Sequence, residues 1–179
     1  MRRVAKWLVL LACVLWPAIQ PAGMPHPASA PASADQTFGT EPLAIVVNRS
    51  NPVDELSMPE LRAIFLGSRG HWSTGRRVTL VMRDIDAPER SVILRDVCGM
   101  TEQQFRTHFV RGLYNGEILI SPKILASDTG VRRFIFNVPG AIGYLRLSEV
   151  DSSVKALRID EHRPGDKEYK LRAPIQAGN

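Results

Sequence analysis

The stretch Leu56-Ser57-Met58-Pro59-Glu60-Leu61-Arg62-Ala63-Ile64-Phe65-Leu66-Gly67 (LSMPELRAIFLG) spells out a helix with both ends marked. Ser57 and Glu60 have capping-box spacing: the hydroxyl accepts from the Glu60 amide and the carboxylate reaches back to Ser57. Leu56 before the cap and Leu61 inside it form a hydrophobic staple. Leu61, Ile64 and Phe65 recur at i, i+3 and i+4, so one face turns to a core. Gly67 stands where a left-handed C-terminal residue is wanted. Ser68 to Arg77 then reads as a loop, basic through Arg69, His71, Arg76 and Arg77, with Trp72 either packed on the core or covering a pocket.

On either side of this helix, short apolar runs alternate with helical patterns. Leu43 to Val47 is apolar and β-branched, which suits a strand buried on both faces, as in a parallel sheet. Val78 to Met82 is a second strand, running into Arg83-Asp84-Ile85-Asp86. Asp86-Ala87-Pro88-Glu89 repeats the capping-box pattern and predicts a helix to about Val97, ended by Gly99. Thr101-Glu102-Gln103-Gln104 opens another helix, with Met100 and Phe105 as staple and Phe105, Phe109 and Leu113 on one face. Asn115-Gly116 is a turn and Ile118 to Ile120 a brief extended segment. Ser127-Asp128-Thr129-Gly130 starts a further helix with Val131, Phe134 and Ile135 on its buried side, closed by Pro139-Gly140. Ala141 to Leu145 and Val154 to Ile159 read as strands, and a polar tail follows from Asp160. Strands alternating with helices predict an α/β class with a mixed, mostly parallel sheet flanked by helices.

The amino terminus has a separate logic. Arg2, Arg3 and Lys6 precede an apolar run from Trp7 to Ile19, and a Pro/Ala/Ser stretch offers A-x-A sites ending at Ala30 and Ala34. Residues 1–34 therefore read as a secretory signal peptide cleaved after one or the other. The formal charge of +5 includes three basic residues from that segment, so the remainder carries 20 basic and 18 acidic residues, or +2. That balance, with no basic run and no aromatic-basic interleaving, argues against a nucleic-acid partner. Cys98 is the one cysteine beyond residue 34, so an internal disulfide is excluded from the exported part. It reads as a small buried hydrophobe beside a helix end.

Catalytic signals are absent: there is no G-x-S-x-G elbow and no H-E-x-x-H helix, and the histidines at 26, 71, 108 and 162 lack metal-ligand spacing. No catalytic residue, metal ligand or cofactor is assigned. Arg83 lies at a strand's carboxyl end beside a helix start, where open α/β sheets bind ligands. It can hold an oxyanion through a bidentate contact, or pair with Asp84, Asp86 or Glu89. Ser127, Thr129 and Gly130 offer hydroxyls, close backbone approach and free helix amides to an anion, or a plain N-cap. Ser50 and Asn51 are further ligand candidates, explained equally by turn chemistry.

The order of LAIVVN, LSMPELRAIFLG, a loop bearing Trp72, a strand ending in Arg83, and Val138 to Leu145 (VPGAIGYL) resembles the phosphate-type periplasmic substrate-binding proteins of ABC transporters. The likeness covers residues 43–146. It implies a periplasmic-binding-protein-like lobe over residues 35–160, with 161–179 as a polar C-terminal tail. It further implies periplasmic location and reversible binding of a small, phosphate-like anionic solute without chemistry. A membrane transporter or another envelope protein would be the partner. Family members often follow the arginine with a Ser-Gly-Thr helix start; here Asp84 to Glu89 stands instead, without the hydroxyls. About eight residues separate the signal from the first strand, so mainly the second of the family's two lobes is expected. The alternative is a non-transport accessory domain that kept the fold and lost the ligand, and a homodimer that restores a two-sided cleft is a further option.

Overall fold

The structure, a computed structural model, describes residues 39–175, and the signal-peptide reading lies outside them. The main sheet has the order β4 (Lys123–Leu125), β3 (Thr79–Arg83), β5 (Ala141–Arg146), β1 (Thr40–Asn48), β6 (Val154–Ala156), with β8 (Arg172–Pro174) also on β1. β3 is parallel to β4 and β5, whereas β1 is antiparallel to β5, β6 and β8. Five strands thus share one direction and β1 alone runs against them. The α/β class with a mixed, mostly parallel sheet holds. The parallel setting expected for the first strand does not: β1 opposes every neighbour.

β1 separates two cores. Leu43, Ile45 and Val47 point to one face, with α1 (Met58–Phe65), α3 (Glu102–Tyr114) and the segment between Ile93 and Cys98. Ala44 and Val46 point to the other, against Val131 and Ile135 of α4 (Asp128–Asn137). Every residue from Leu43 to Asn48 is buried, since a central strand alternates its side chains between two covered faces. Both cores are built wholly within residues 43–173, so the described unit carries its own interior.

The helix ends follow the local chemistry. Ser57 and Thr101 form complete capping boxes with Glu60 and Gln104. The box expected at Asp86 does not form: Ala87 is the N-cap of α2 (Pro88–Val92), without a side-chain bond. α2 continues into a π-helical stretch, Ile93–Cys98, and Gly99 closes it in the left-handed region at φ 67°. Asn48, buried at the end of β1, donates to the carbonyls of Ile135 (2.8 Å) and Phe136 (2.6 Å) and so satisfies the last turn of α4.

Other expectations are corrected. Leu113 sits outside the core, its place on the buried face taken by Gly112. The extended piece is β4, a few residues later than Ile118–Ile120. Val154 to Ile159 splits into β6 and β7 (Arg158–Ile159), the latter parallel to β2 (Glu55–Leu56). The polar tail beyond residue 160 belongs to the fold. Tyr169, Leu171 and Ala173 are buried, the Tyr169 hydroxyl donates to the Leu43 carbonyl at 2.9 Å, and β8 pairs with Thr40–Pro42. Three alternating apolar residues supply a strand's buried face within an otherwise polar stretch.

Candidate functional site

The motifs that carry the resemblance are explained first by packing. Trp72 is buried, and its indole N–H donates to the Gly140 carbonyl at 3.0 Å, which also accepts from the Thr79 amide at 3.0 Å. A Cβ on Gly140 would stand 2.1 Å from the Arg77 carbonyl oxygen. Gly143 faces α4, where a Cβ would meet Ile135 at 3.1 Å and the Val81 carbonyl at 3.2 Å. The tryptophan loop and the PGAIGY turn therefore lock the amino ends of β3 and β5 together. Trp72 packs on the core.

The opposite edge of the sheet carries the charge. There β3 ends at Arg83, β5 ends at Arg146, and α4 begins at Ser127. The Arg83 side chain is 12% exposed; Nη1 meets Asp128 Oδ1 at 2.5 Å and Nη2 donates to the Ala126 carbonyl at 3.1 Å. Its Nε is buried without a hydrogen-bond partner in the protein. Burial works against the charge of Arg83, but the Asp128 bond and field, with Glu89 and Asp84, outweigh it and hold the guanidinium above its ordinary pKa. Arg146 meets Glu89 Oε1 at 2.5 Å and Glu41 at 3.6 Å, and donates to the Pro174 carbonyl at 3.0 Å. Arg90 makes a bidentate pair with Glu102 (2.7 and 2.9 Å) and donates to the Arg83 carbonyl at 2.7 Å. The Tyr144 hydroxyl accepts from the Arg83 amide at 2.9 Å; burial foremost raises its pKa well above the usual phenol range. Each of these three arginines is matched by a carboxylate.

Arg83, Ser127, Thr129 and Gly130 come together at this edge. Ser127 Oγ accepts from the Gly130 amide at 3.1 Å, so the hydroxyl is engaged as an N-cap, while Thr129 is exposed. Ser50 and Asn51 do not join them. Because β1 runs against the other strands, the residues that follow it emerge at the far edge. There Ser50 donates to Asn48 Oδ1 through its amide (2.9 Å) and hydroxyl (2.7 Å), and Asn51 Oδ1 accepts from the Val53 amide at 3.0 Å. The acid that meets Arg83 is Asp128, from a helix start 45 positions along the chain rather than the adjacent Asp84, Asp86 or Glu89. The pairing of Arg146 with Glu89 also escaped the sequence reading, which offered Glu89 only as a partner for Arg83. Their only sequence signal is a charged residue at a strand end and another in a helix's first turn.

Among the described residues no group of three His, Cys, Asp or Glu side chains could hold a metal ion. His108 is spent on the Leu66 carbonyl at 2.8 Å. Cys98 is buried, and desolvation pushes its thiol up to about 12 against the pull of Arg62 and Arg90. The neutral thiol is the form the fold prefers. Its contribution is therefore complete below the unfolded thiol's pKa of about 8.5 and is lost as pH rises beyond it. In the chain from Asp35, where Cys98 is the one thiol, alkylation with iodoacetamide at about pH 8 is expected to leave the folded protein unlabelled and to go to completion in denaturant, read by mass.

No family model matches the chain. Its sequence is 29% identical over 143 residues to the phosphate-binding protein PstS of Bacillus subtilis (strain 168), a match covering 77% of this chain and 42% of that one. Two solved structures share the architecture. An ABC-type phosphate transport receptor from Vibrio cholerae superposes with a TM-score of 0.61 at 21% identity, over 76% of this chain and 55% of that one. A phosphate ABC transporter substrate-binding protein from Clostridium perfringens, solved with bound phosphate, gives 0.63 at 20% identity, over 76% and 54%. The fold is that of the phosphate-type periplasmic binding proteins. The resemblance carried by IFLG, Trp72 and PGAIGY stands, and this chain spans about half the length or less of these phosphate-receptor relatives. Each of these relatives is named for phosphate binding or phosphate transport.

Proposed function

We propose that this chain is an exported, periplasmic solute-binding lobe of the phosphate-receptor type, which takes up a small oxyanion reversibly and without chemistry, in partnership with an ABC transporter. The observation that carries the reading is Arg83. It is held at the carboxyl end of β3 against the amino end of α4, with Nε buried and unpartnered. A guanidinium donor beside free helix amides is a ready seat for an oxyanion. The solute class is that of the relatives, whose names state phosphate binding.

A second reading is favoured by Asp128. Its carboxylate already faces Nη1, and Glu89 and Asp84 add negative charge close by. A lobe so neutralised suits an accessory domain that kept the fold and lost the ligand, acting through an envelope protein or a second copy.

Thermal unfolding of the chain from Asp35, with phosphate or sulfate at matched ionic strength, separates the two. A ligand at 100 times its dissociation constant stabilises by about 2.7 kcal/mol, a rise of several degrees at this size. The receptor reading expects that rise with phosphate and its loss in Arg83→Ala. No rise with either anion would favour the accessory domain.

A further inference from the structure

Nine large apolar side chains are exposed among the described residues. Six of them lie between residues 110 and 124: Val110, Leu113, Tyr114, Leu119, Ile120 and Ile124. They come from the end of α3, the connection after it, and β4, which is the edge strand of the sheet. The connection is fixed in place. The Ile118 amide donates to the Gly112 carbonyl at 3.0 Å, and the Ile118 side chain lies so close over Gly112 that a Cβ there would meet it at 2.6 Å. With Ile118 anchored inward, Leu119 is held 73% exposed and Tyr114, at the end of α3, stands 91% exposed. A cleft floored by Ile64, Leu80 and Phe109 opens beside Leu119 and is bordered by Arg77.

The charge associated with this region is predominantly positive. Arg77, Arg106, Arg111 and Lys123 make no ion pair among the described residues, and Glu117 is the one acid between residues 103 and 124. A second copy seated there would bring like charge onto like charge. Strand addition by a partner is opposed by the shortness of β4 and by Lys123 upon it, the usual blunting of an edge. An anionic bilayer suits both halves of the surface. Leucine and isoleucine enter the boundary of the acyl chains, tyrosine sits at headgroup level, and arginine and lysine meet the lipid phosphates.

We propose that the α3–β4 corner, which exposes Tyr114, Leu119 and Ile120 together with Arg106, Arg111 and, on the edge strand, Lys123, docks on an anionic phospholipid surface. The inference is independent of any solute at Arg83.

The test is sedimentation of the chain from Asp35, which contains the whole core, with vesicles of equal parts phosphatidylcholine and phosphatidylglycerol, and with phosphatidylcholine alone. The protein is expected to sediment with the anionic vesicles only, and less at high salt. Tyr114→Ser with Leu119→Ser, both on exposed positions, and separately Arg111→Glu with Lys123→Glu, are each expected to weaken sedimentation by about tenfold or more, with unchanged melting temperature. Arg163→Glu with Lys167→Glu makes the same charge change away from the corner and is expected to leave it intact. Equal sedimentation with neutral vesicles, or equal loss in the distant charge variant, would overturn the proposal. So would failure to sediment, which assigns the corner to an acidic protein, or a dimer in ultracentrifugation that the corner variants dissolve.

Discussion

Gly140→Ala is expected to lower the melting temperature by roughly 10 °C, a loss of about 3 kcal/mol. The added methyl would stand 2.1 Å from the Arg77 carbonyl oxygen, and backbone cannot swing aside as a side-chain tip can. Relief requires the turn before β5 to withdraw. That movement strains the two hydrogen bonds converging on the Gly140 carbonyl, from Trp72 and from Thr79. Gly70→Ala, in the tryptophan loop, is the matching control, since a Cβ there meets nothing within 4 Å. It is expected to change stability by less than about 0.5 kcal/mol. Thermal melts of the two variants side by side check the argument, and comparable losses would sink it.

The second large effect lies at the charged edge. Glu89 is 3% exposed and faces Arg146, itself nearly buried. Removing one partner leaves the other charge desolvated, so Glu89→Ala is expected to cost about 3–5 kcal/mol in denaturant unfolding. Glu41, at 3.6 Å from Arg146, keeps the loss toward the lower end. Replacing both, as Glu89→Leu with Arg146→Met, removes the buried charge altogether. The double variant is expected to be more stable than Glu89→Ala alone, because the desolvation cost disappears with the attraction. A double variant as unstable as the single one would show that the pair is held for its shape rather than its charge.

Features set by neighbouring residues were legible in the sequence. The boxes at Ser57 and Thr101 depend on three-residue spacing, and both formed. Asp86 had the same spacing but lost its place to Ala87, because Pro88 entered the helix one residue later. The direction of β1 was not legible. Apolar residues at every position report burial on both faces, and an antiparallel strand at the centre of a sheet is buried in the same way as a parallel one. That single reversal moved Ser50 and Asn51 to the far edge. The Arg83–Asp128 contact was hidden for a related reason: it depends on β4 lying beside β3 with Leu125 opposite Arg83, which no local pattern encodes.

Thr40 and Pro174 are register partners on adjacent antiparallel strands. The chain therefore enters and leaves the described fold through neighbouring points, on the side of Arg146 and Glu41. A unit with both ends side by side behaves like a cassette. It can be spliced into a surface loop of a host protein, or its ends bridged by a few residues and new ones opened at the exposed Ser73–Gly75 turn, without disturbing either core.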